Sequence, residues 1–168
     1  MRETSGKPPR GRLDDVPLTI RVDDLSGAAT RRLVGIHLAG MFDTSPAESV
    51  HALGLDALRS PEITVWSAWQ GDDLVGIGAL HQREPRSGEL KSMRVDDRYR
   101  GTGAGRALLR HIVDEARRRG ITTLWLETGV EEYFAPARAL YTSEGFVECG
   151  PFGSYLPDPH STFMTRGL

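Results

Sequence analysis

The sequence predicts an α+β domain, a three-layer α/β/α arrangement in some classification schemes, with a mixed, mostly antiparallel central sheet and flanking helices. Two observations favour this class. Alternating and apolar segments order the chain as β-α-α-β-β-β-α-β-α-β, followed by a final strand near residues 161–166. The first half contains a strand–turn–strand hairpin, whereas strands in the second half are joined through helices, so antiparallel and parallel neighbours must share one sheet.

Length and composition limit the number of domains and the classes of partner. The 168 residues suit one domain, which we place at residues 18–168. Residues 1–17 are polar, contain Pro8 and Pro9, and are predicted to form a disordered or loosely attached tail. A net charge of −2 offers no basic excess for nucleic acid or an anionic membrane, and no apolar run is long enough to span a bilayer.

Cysteine and metal-ligand patterns are equally restrictive. Cys149 is the only cysteine, which excludes a disulfide framework. No cluster of His, Cys or acidic residues has the spacing of a metal site, and His37 and His51 are interpreted as ordinary surface or boundary residues. We therefore expect a cytoplasmic protein that uses no metal.

The first third of the chain reads as one strand and two helices. Residues 18–25 alternate between apolar and polar types, as a half-buried strand does. Residues 27–40 have a helical pattern, with Leu33 and Ile36 on one face. A second helix is predicted over 47–59, because Ser45 suits the N-cap position and Pro46 the first helical position.

A hairpin and an irregular strand follow. Residues 63–70 and 74–81 flank the polar turn 71–73, and Trp66 and Trp69 are predicted to face opposite sides of their strand. Residues 84–88 make the next turn. In the fourth strand Leu90 and Met93 are three residues apart, whereas strand faces repeat every two residues. Either a β-bulge near 91–92 restores the register, or the strand is buried on both faces and need not alternate.

A glycine-rich turn at a helix start is the strongest chemical signal. The turn 100–105 contains three glycines and precedes a helix with apolar residues at 108, 109, 112, 113 and 116. Glycine lets a ligand approach the backbone, and the unpaired N–H groups of a helix start attract phosphate. A structural turn without a ligand is the alternative. The spacing fits neither the dinucleotide fingerprint nor the nucleotide P-loop.

Two motifs together resemble a known family. Arg100-x-x-Gly103-x-Gly105 follows a strand, and Tyr141-x-x-x-Gly145-Phe146 follows the next strand and its helix. This pair resembles the GCN5-related N-acetyltransferases, the GNAT family, closely from residue 89 to about 149 and by pattern alone over 18–83. The resemblance implies the acyl-CoA N-acyltransferase fold and transfer of an acetyl group from acetyl-CoA to an amine.

The resemblance also assigns a cofactor site. It implies that the turn amides bind the pyrophosphate, that the strand edge at 93–95 pairs with the pantetheine arm, and that the Val95 N–H polarises the thioester. The predicted cofactor-binding residues are Met93, Arg94, Val95, Arg98, Arg100, Gly101, Thr102, Gly103, Ala104, Gly105, Arg106, Ala137 and Tyr141.

Acid, base and acceptor residues are predicted on the same grounds. Tyr141 is the predicted acid for the leaving thiolate, the alternative being a core tyrosine beside Phe146. Glu89 is the first choice for the base and Glu127 the second, although either could be an ordinary surface carboxylate. In the family the loop between the last two strands helps to form the acceptor site. Here that loop spans 150–160, with Phe152 and Tyr155 as predicted substrate-binding residues.

The expected activity is acetylation of a small-molecule or peptide amine by direct attack in a ternary complex, with Cys149 structural. Acetylation of a protein lysine or N-terminus is one alternative. A catalytically silent acyl-CoA-binding module that regulates a partner is another. The family resemblance makes a homodimer possible.

Overall fold

The computed structural model describes residues 16–168, so the predicted tail lies outside the described residues except for Val16 and Pro17. One seven-stranded sheet has the order β1-β2-β3-β4-β5-β7-β6. Only β4 and β5 are parallel neighbours; the other pairs are antiparallel, which confirms the predicted mixed sheet. The strands are β1 (Leu18–Val22), β2 (Ile63–Gln70), β3 (Asp73–Glu84), β4 (Ser87–Val95), β5 (Thr123–Gly129), β6 (Val147–Cys149) and β7 (Ser161–Gly167).

Four helices flank the sheet: α1 (Ala28–Thr44), α2 (Leu55–Leu58), α3 (Ala104–Arg118) and α4 (Ala135–Ser143). Short 3-10 turns lie at Ala47–Ser49, Asp97–Tyr99 and Glu132–Phe134. No helix among residues 16–168 is both long and apolar enough to cross a membrane.

Each face of the sheet has its own apolar core. The α3 face, covered by α3 and α4, includes Trp66, Leu90 and the five apolar α3 residues predicted from the helical pattern. The α1 face, covered by α1 and α2, includes Leu33, Val65 and Ile77, with Trp69 packed against it. Trp66 and Trp69 therefore lie on opposite faces, as predicted. Helix α3 lies so close to β3 that a Cβ at Gly78 would be 2.8 Å from Ile112 Cδ1.

The predicted second helix, 47–59, is wrong. Helix α1 continues to Thr44 and ends with Ser45 as its C-cap, since the residue before a proline is biased away from helical conformation. Pro46 and Val50 are also extended, and Gly54, a poor helix former, is extended at the start of the four-residue α2. Only a 3-10 turn and one helical turn form, so residues 50–54 cross the α1 face as an irregular segment.

The hairpin between β3 and β4 is tighter than predicted. Strand β3 continues to Glu84 and β4 begins at Ser87, so only residues 85–86 form the turn that was expected to span 84–88. A Cβ at Gly88 would be 2.8 Å from Leu80 Cδ1, which explains why glycine starts the longer β4.

A β-bulge interrupts β4, which confirms the bulge over the alternative of a non-alternating strand. Ala79 pairs with Lys91 and Ile77 with Arg94, so two β4 residues oppose Gly78 alone. Ser92 takes up the extra residue with a φ of 55°. The bulge restores alternation, because Leu90, Met93 and Val95 all pack on the α3 face.

The two parallel strands separate where the bulge begins. Strands β4 and β5 pair only from Ser87↔Thr123 to Leu90↔Leu126, although both strands continue beyond that point. The edge of β4 that faces β5 is therefore free of that partner from Lys91 to Val95. The divergence opens the sheet from one face to the other.

Candidate active site

A single large cleft occupies the opening between β4 and β5. Its volume is about 1420 Å³, and it reaches from α1 and residues 51–52 on one face to α3 and α4 on the other. It contains the free edge of β4 and the turn before α3. Among residues 16–168 no group of three His, Cys, Asp or Glu side chains could hold a metal ion.

Backbone geometry leaves the glycine-rich turn open to a ligand. Gly101 has a φ of 73°, and Gly103, the N-cap of α3, has a φ of 90°. A Cβ added at either position would have no described protein atom within 4 Å. The first-turn N–H groups of α3 thus border unfilled space, as an anion site requires.

Arginines surround this turn, and each already has an acidic neighbour. Arg98 contacts Asp96 at 3.1 Å, Arg100 contacts Asp97 at 2.8 Å and Arg106 contacts Glu144 at 3.2 Å. All three arginines line the cleft. Their exposed positions let them add positive charge beside the turn without being held solely by these ion pairs.

The structure places twelve of the thirteen predicted cofactor residues along the cleft. Thr102 is the exception, because it does not line the cleft and its hydroxyl donates a hydrogen bond to the Tyr99 carbonyl at 2.5 Å. Thr102 therefore stabilises the turn from within. The twelve that line the cleft are Met93, Arg94, Val95, Arg98, Arg100, Gly101, Gly103, Ala104, Gly105, Arg106, Ala137 and Tyr141.

Tyr141 borders the cleft from the α3 face. Its side chain packs edge-on against Phe146 with ring centroids 5.8 Å apart, and the residue is only 6% exposed. Its hydroxyl has no hydrogen-bond partner within the part of the chain that the structure describes. Burial raises the pKa of this phenol, so it keeps its proton and can donate it. Tyr141 thus combines the core position of the alternative with a hydroxyl free for the predicted role.

Glu89 lies on the opposite, α1 face, in an ionic network. Its Oε1 accepts hydrogen bonds from Lys91 Nζ at 3.0 Å and from the Tyr155 hydroxyl at 2.5 Å. Lys91 also donates to the Tyr155 hydroxyl at 2.9 Å, and Arg83 is 3.7 Å from Glu89 Oε2. The carboxylate is thus held between two cations and a phenol.

Glu127 is the second carboxylate on the α1 face. It follows Leu126, the last β5 residue paired with β4, and its Oε1 accepts a hydrogen bond from the Ser161 hydroxyl at 2.8 Å. Burial raises the pKa of Glu127, while Ser161, His51 and Lys91 act in the opposite direction. Glu89 and Glu127 both line the cleft.

A third polar group on the α1 face surrounds Arg94. The Arg94 guanidinium donates to the Tyr133 hydroxyl and contacts Asp97 at 3.2 Å, and its side chain is only 10% exposed. His37 of α1 also lines the cleft. Burial and the nearby Arg94 lower the pKa of His37 to about 4, so this imidazole is neutral at neutral pH.

The two predicted substrate residues lie behind the cleft wall rather than in it. Phe152 packs on Trp125 with ring centroids 5.3 Å apart, and neither Phe152 nor Tyr155 lines the cleft. Tyr155 instead touches the cleft-lining residues Glu89 and Lys91 and packs edge-on against His51. The 150–160 loop thus supports the wall through Tyr155.

Sequence reasoning missed Lys91, His51, His37 and Tyr133, all of which line the cleft. A signal existed for Lys91, which is two residues from Glu89 and therefore on the same strand face. His51 had no such signal, because its position depends on the irregular segment that replaced the predicted helix.

Comparison with known proteins agrees with this geometry. Residues 31–146 match the family model described as "Acetyltransferase (GNAT) family". The chain is 51% identical over 149 residues to the uncharacterized N-acetyltransferase YsnE of Bacillus subtilis, covering 89% of this chain and 99% of that protein. It is 46% identical over 127 residues to an IAA acetyltransferase of Azospirillum brasilense, covering 75% and 82%.

Solved structures share the fold. A Klebsiella pneumoniae protein assigned as an acyl-CoA N-acyltransferase superposes with a TM-score of 0.74 at 29% identity, covering 90% of this chain and 98% of that one. A GNAT acetyltransferase of Elizabethkingia anophelis with acetyl-CoA bound gives 0.65 at 15% identity, with the same coverage. The matched family model and the closely related N-acetyltransferases show that this chain belongs to the GNAT family and is an N-acetyltransferase.

Proposed function

We propose that the protein transfers the acetyl group of acetyl-CoA to a primary amine of a small molecule or peptide, by direct attack within a ternary complex. The observation that carries this proposal is the arrangement of groups around one opening in the sheet. Tyr141 borders it from the α3 face, whereas Glu89 and Glu127 border it from the α1 face. Two reactants that enter from opposite faces would meet at the divergence of β4 and β5.

The residues present fit acetyl-CoA. The turn glycines leave unfilled space beside the first N–H groups of α3, where a Cβ at Gly103 would intrude on a phosphate. The free edge of β4 at Met93 and Val95 supplies main-chain groups for the amide-containing pantetheine arm. When bound, acetyl-CoA supplies an activated acyl group as a thioester.

Each catalytic role then falls to a residue of this chain. Tyr141 protonates the departing sulfur, a role that its raised pKa makes compatible with holding the proton until it is needed. The Val95 N–H polarises the acyl oxygen. A carboxylate on the α1 face receives the proton of the acceptor ammonium, whose pKa of about 10 otherwise prevents attack.

The test begins with CoA release from acetyl-CoA in the presence of an amine panel, with mass spectrometry of the products. The panel includes amino acids, simple alkylamines and a peptide with a free N-terminal alanine. The peptide is included because residues of this chain are 46% identical over 68 positions to a ribosomal-protein alanine N-acetyltransferase of Escherichia coli. Binding of acetyl-CoA with no turnover on any amine, peptide or protein would refute the proposal and favour a silent acyl-CoA-binding module.

Tyr141→Phe tests the acid role. Cofactor affinity measured by calorimetry should hold while kcat falls by roughly 10²–10⁴, the range for loss of one general acid. Tyr99→Phe is the matched control, because Tyr99 is also buried but its hydroxyl donates to Asp73 at 3.2 Å. That variant should lose stability, by about 1 kcal/mol, rather than rate. Full kcat in a stable Tyr141→Phe protein would rule out the acid role.

A further inference from the structure

The two carboxylates on the α1 face differ in how much capacity they have left to accept a proton from a ligand. Glu89 Oε1 already accepts two hydrogen bonds, from Lys91 and Tyr155, and Glu89 Oε2 faces the Arg83 guanidinium. The Glu89 side chain is only 4% exposed. Protonating this carboxylate would break a buried ion pair, which is costly because it leaves Lys91 uncompensated.

Glu127 has capacity that Glu89 lacks. Its Oε1 accepts one neutral hydrogen bond, from Ser161. Its Oε2 has no hydrogen-bond partner among residues 16–168, and it is absent from the buried unpaired atoms of that part of the chain. Because Glu127 lines the cleft, this second oxygen is open to a bound ligand.

Position favours the same residue. Leu90 and Leu126 form the last pair between β4 and β5, so Glu127 is the first β5 residue beyond the point where the strands part. Successive strand residues alternate between faces, and Leu126 packs on the α3 face, so Glu127 points to the α1 face. It therefore lies at the narrow end of the opening, facing the side away from Tyr141.

We propose that Glu127, through its free carboxylate oxygen, takes the proton from the acceptor ammonium, and that Glu89 is a positioning residue held by Lys91 and Tyr155. This inference rests on the proposed acetyl transfer and assigns its base. In the step, one N–H bond of the ammonium breaks and an O–H bond forms on Glu127. The neutral nitrogen then forms the C–N bond as the thioester C–S bond breaks and its electron pair goes to sulfur.

The proton balance closes without a further reactant. Sulfur takes one proton from Tyr141, whose phenolate is reprotonated from solvent. The amide nitrogen loses its second proton, and Glu127 releases the first to solvent. Net release is one proton for each ammonium acetylated, since free CoA leaves as the thiol.

The groups that face Glu127 come from four elements. Strand β4 presents Lys91 and Glu89, the 50–54 segment presents His51, the 150–160 loop presents Tyr155, and β7 presents Ser161. Lys91 and His51 favour the ionised carboxylate, whereas burial and Glu89 disfavour it, and burial is the largest effect. A carboxylate whose pKa is raised is a better match for a base working near neutral pH.

The experiment compares an alkylamine with hydroxylamine as acceptors. Ethylamine is an ammonium ion at neutral pH and must lose a proton before attack, whereas hydroxylamine is already mostly neutral. Glu127→Gln should lower kcat/KM for ethylamine by roughly 10²–10⁴, with a much smaller loss for hydroxylamine. Its acetyl-CoA affinity by calorimetry should match that of the wild type.

Two further variants separate a base from a structural carboxylate. Glu89→Gln should lower activity towards both amines by the same factor, because it perturbs the cleft wall rather than proton transfer. Glu148→Gln, at an exposed position on β6, is the matched control and should leave both rates unchanged. In the wild type, kcat/KM for ethylamine should fall at acid pH with a limb that Glu127→Gln abolishes.

Three outcomes would overturn the inference. Equal losses on both amines in Glu127→Gln would make the residue structural. A selective loss in Glu89→Gln instead would assign the base to Glu89. Turnover of neither amine by the wild type, nor of any amine in the panel above, would remove the proposed function itself and this inference with it. An active wild type with an unimpaired Glu127→Gln would remove the inference alone.

Discussion

Lys91→Met removes the ammonium beside Glu89 and keeps most of the apolar length of the side chain. The Lys91 and Glu89 side chains are only 9% and 4% exposed, and their charged atoms are 3.0 Å apart. Removing one partner of a buried ion pair costs about 3–5 kcal/mol, because the remaining charge is left in a poorly solvated site. Arg83 and Tyr155 still contact Glu89, so we expect the low end, about 3 kcal/mol.

A double-mutant cycle in urea measures this directly. Glu89→Gln alone should also destabilise, whereas Lys91→Met/Glu89→Gln removes both charges and should lose less than the sum of the single losses. The coupling energy should lie within about 0.5–3 kcal/mol in favour of the pair. Arg117→Met is the matched control, because the Arg117–Asp114 pair is similarly close, 3.2 Å, but about half exposed; its loss should stay below about 1 kcal/mol. Additive losses, or a Lys91→Met loss as small as the control, would refute the assignment of a buried network.

Two other perturbations test the turn and α1. Gly103→Val should fold with a penalty of about 1–2 kcal/mol, because its φ of 90° is left-handed, and should bind acetyl-CoA at least about tenfold more weakly by calorimetry. Unchanged affinity would mean that the turn does not bind the pyrophosphate. His37 has a pKa of about 4 in the folded chain against an ordinary 6.5, so the unfolded state binds more protons between these values and stability should fall as pH drops from 6.5 to 4. At about 1.4 kcal/mol per pKa unit the loss is up to about 3 kcal/mol, and His37→Gln should remove that part of the urea-measured pH dependence.

Features governed by neighbouring residues were predictable from the sequence. The turn and α3 depend on glycine conformation and a 3.6-residue period, and all five apolar α3 positions predicted to face the core are buried. The bulge was also a local signal, because Leu90 and Met93 can share a face only if one extra residue is inserted, and Ser92 supplies it. Much of the cofactor side of the cleft follows from these two features.

The acceptor side could not be predicted in the same way. It depends on contacts between distant parts of the chain, such as Lys91 with Tyr155 across 64 positions. It also depends on residues 50–54 remaining irregular, which brings His51 to the cleft. A local pattern at Ser45 and Pro46 favoured a helix there, and the continuation of α1 to Thr44 overrode it. Periodicity gives the face on which a side chain lies, but not which distant residue packs over it.

The position of the single cysteine argues for direct transfer to the amine. A covalent route would need a thiolate within the opening, able to reach the acyl carbon. Cys149 lies on β6, separated from β5 by β7, and is not among the residues that line the cleft. Burial also raises the pKa of its thiol, which lowers the thiolate fraction at neutral pH. With the acid on one face and the carboxylates on the other, the acceptor nitrogen is the nucleophile that this opening is arranged to admit, and we expect both substrates to be bound when the C–N bond forms.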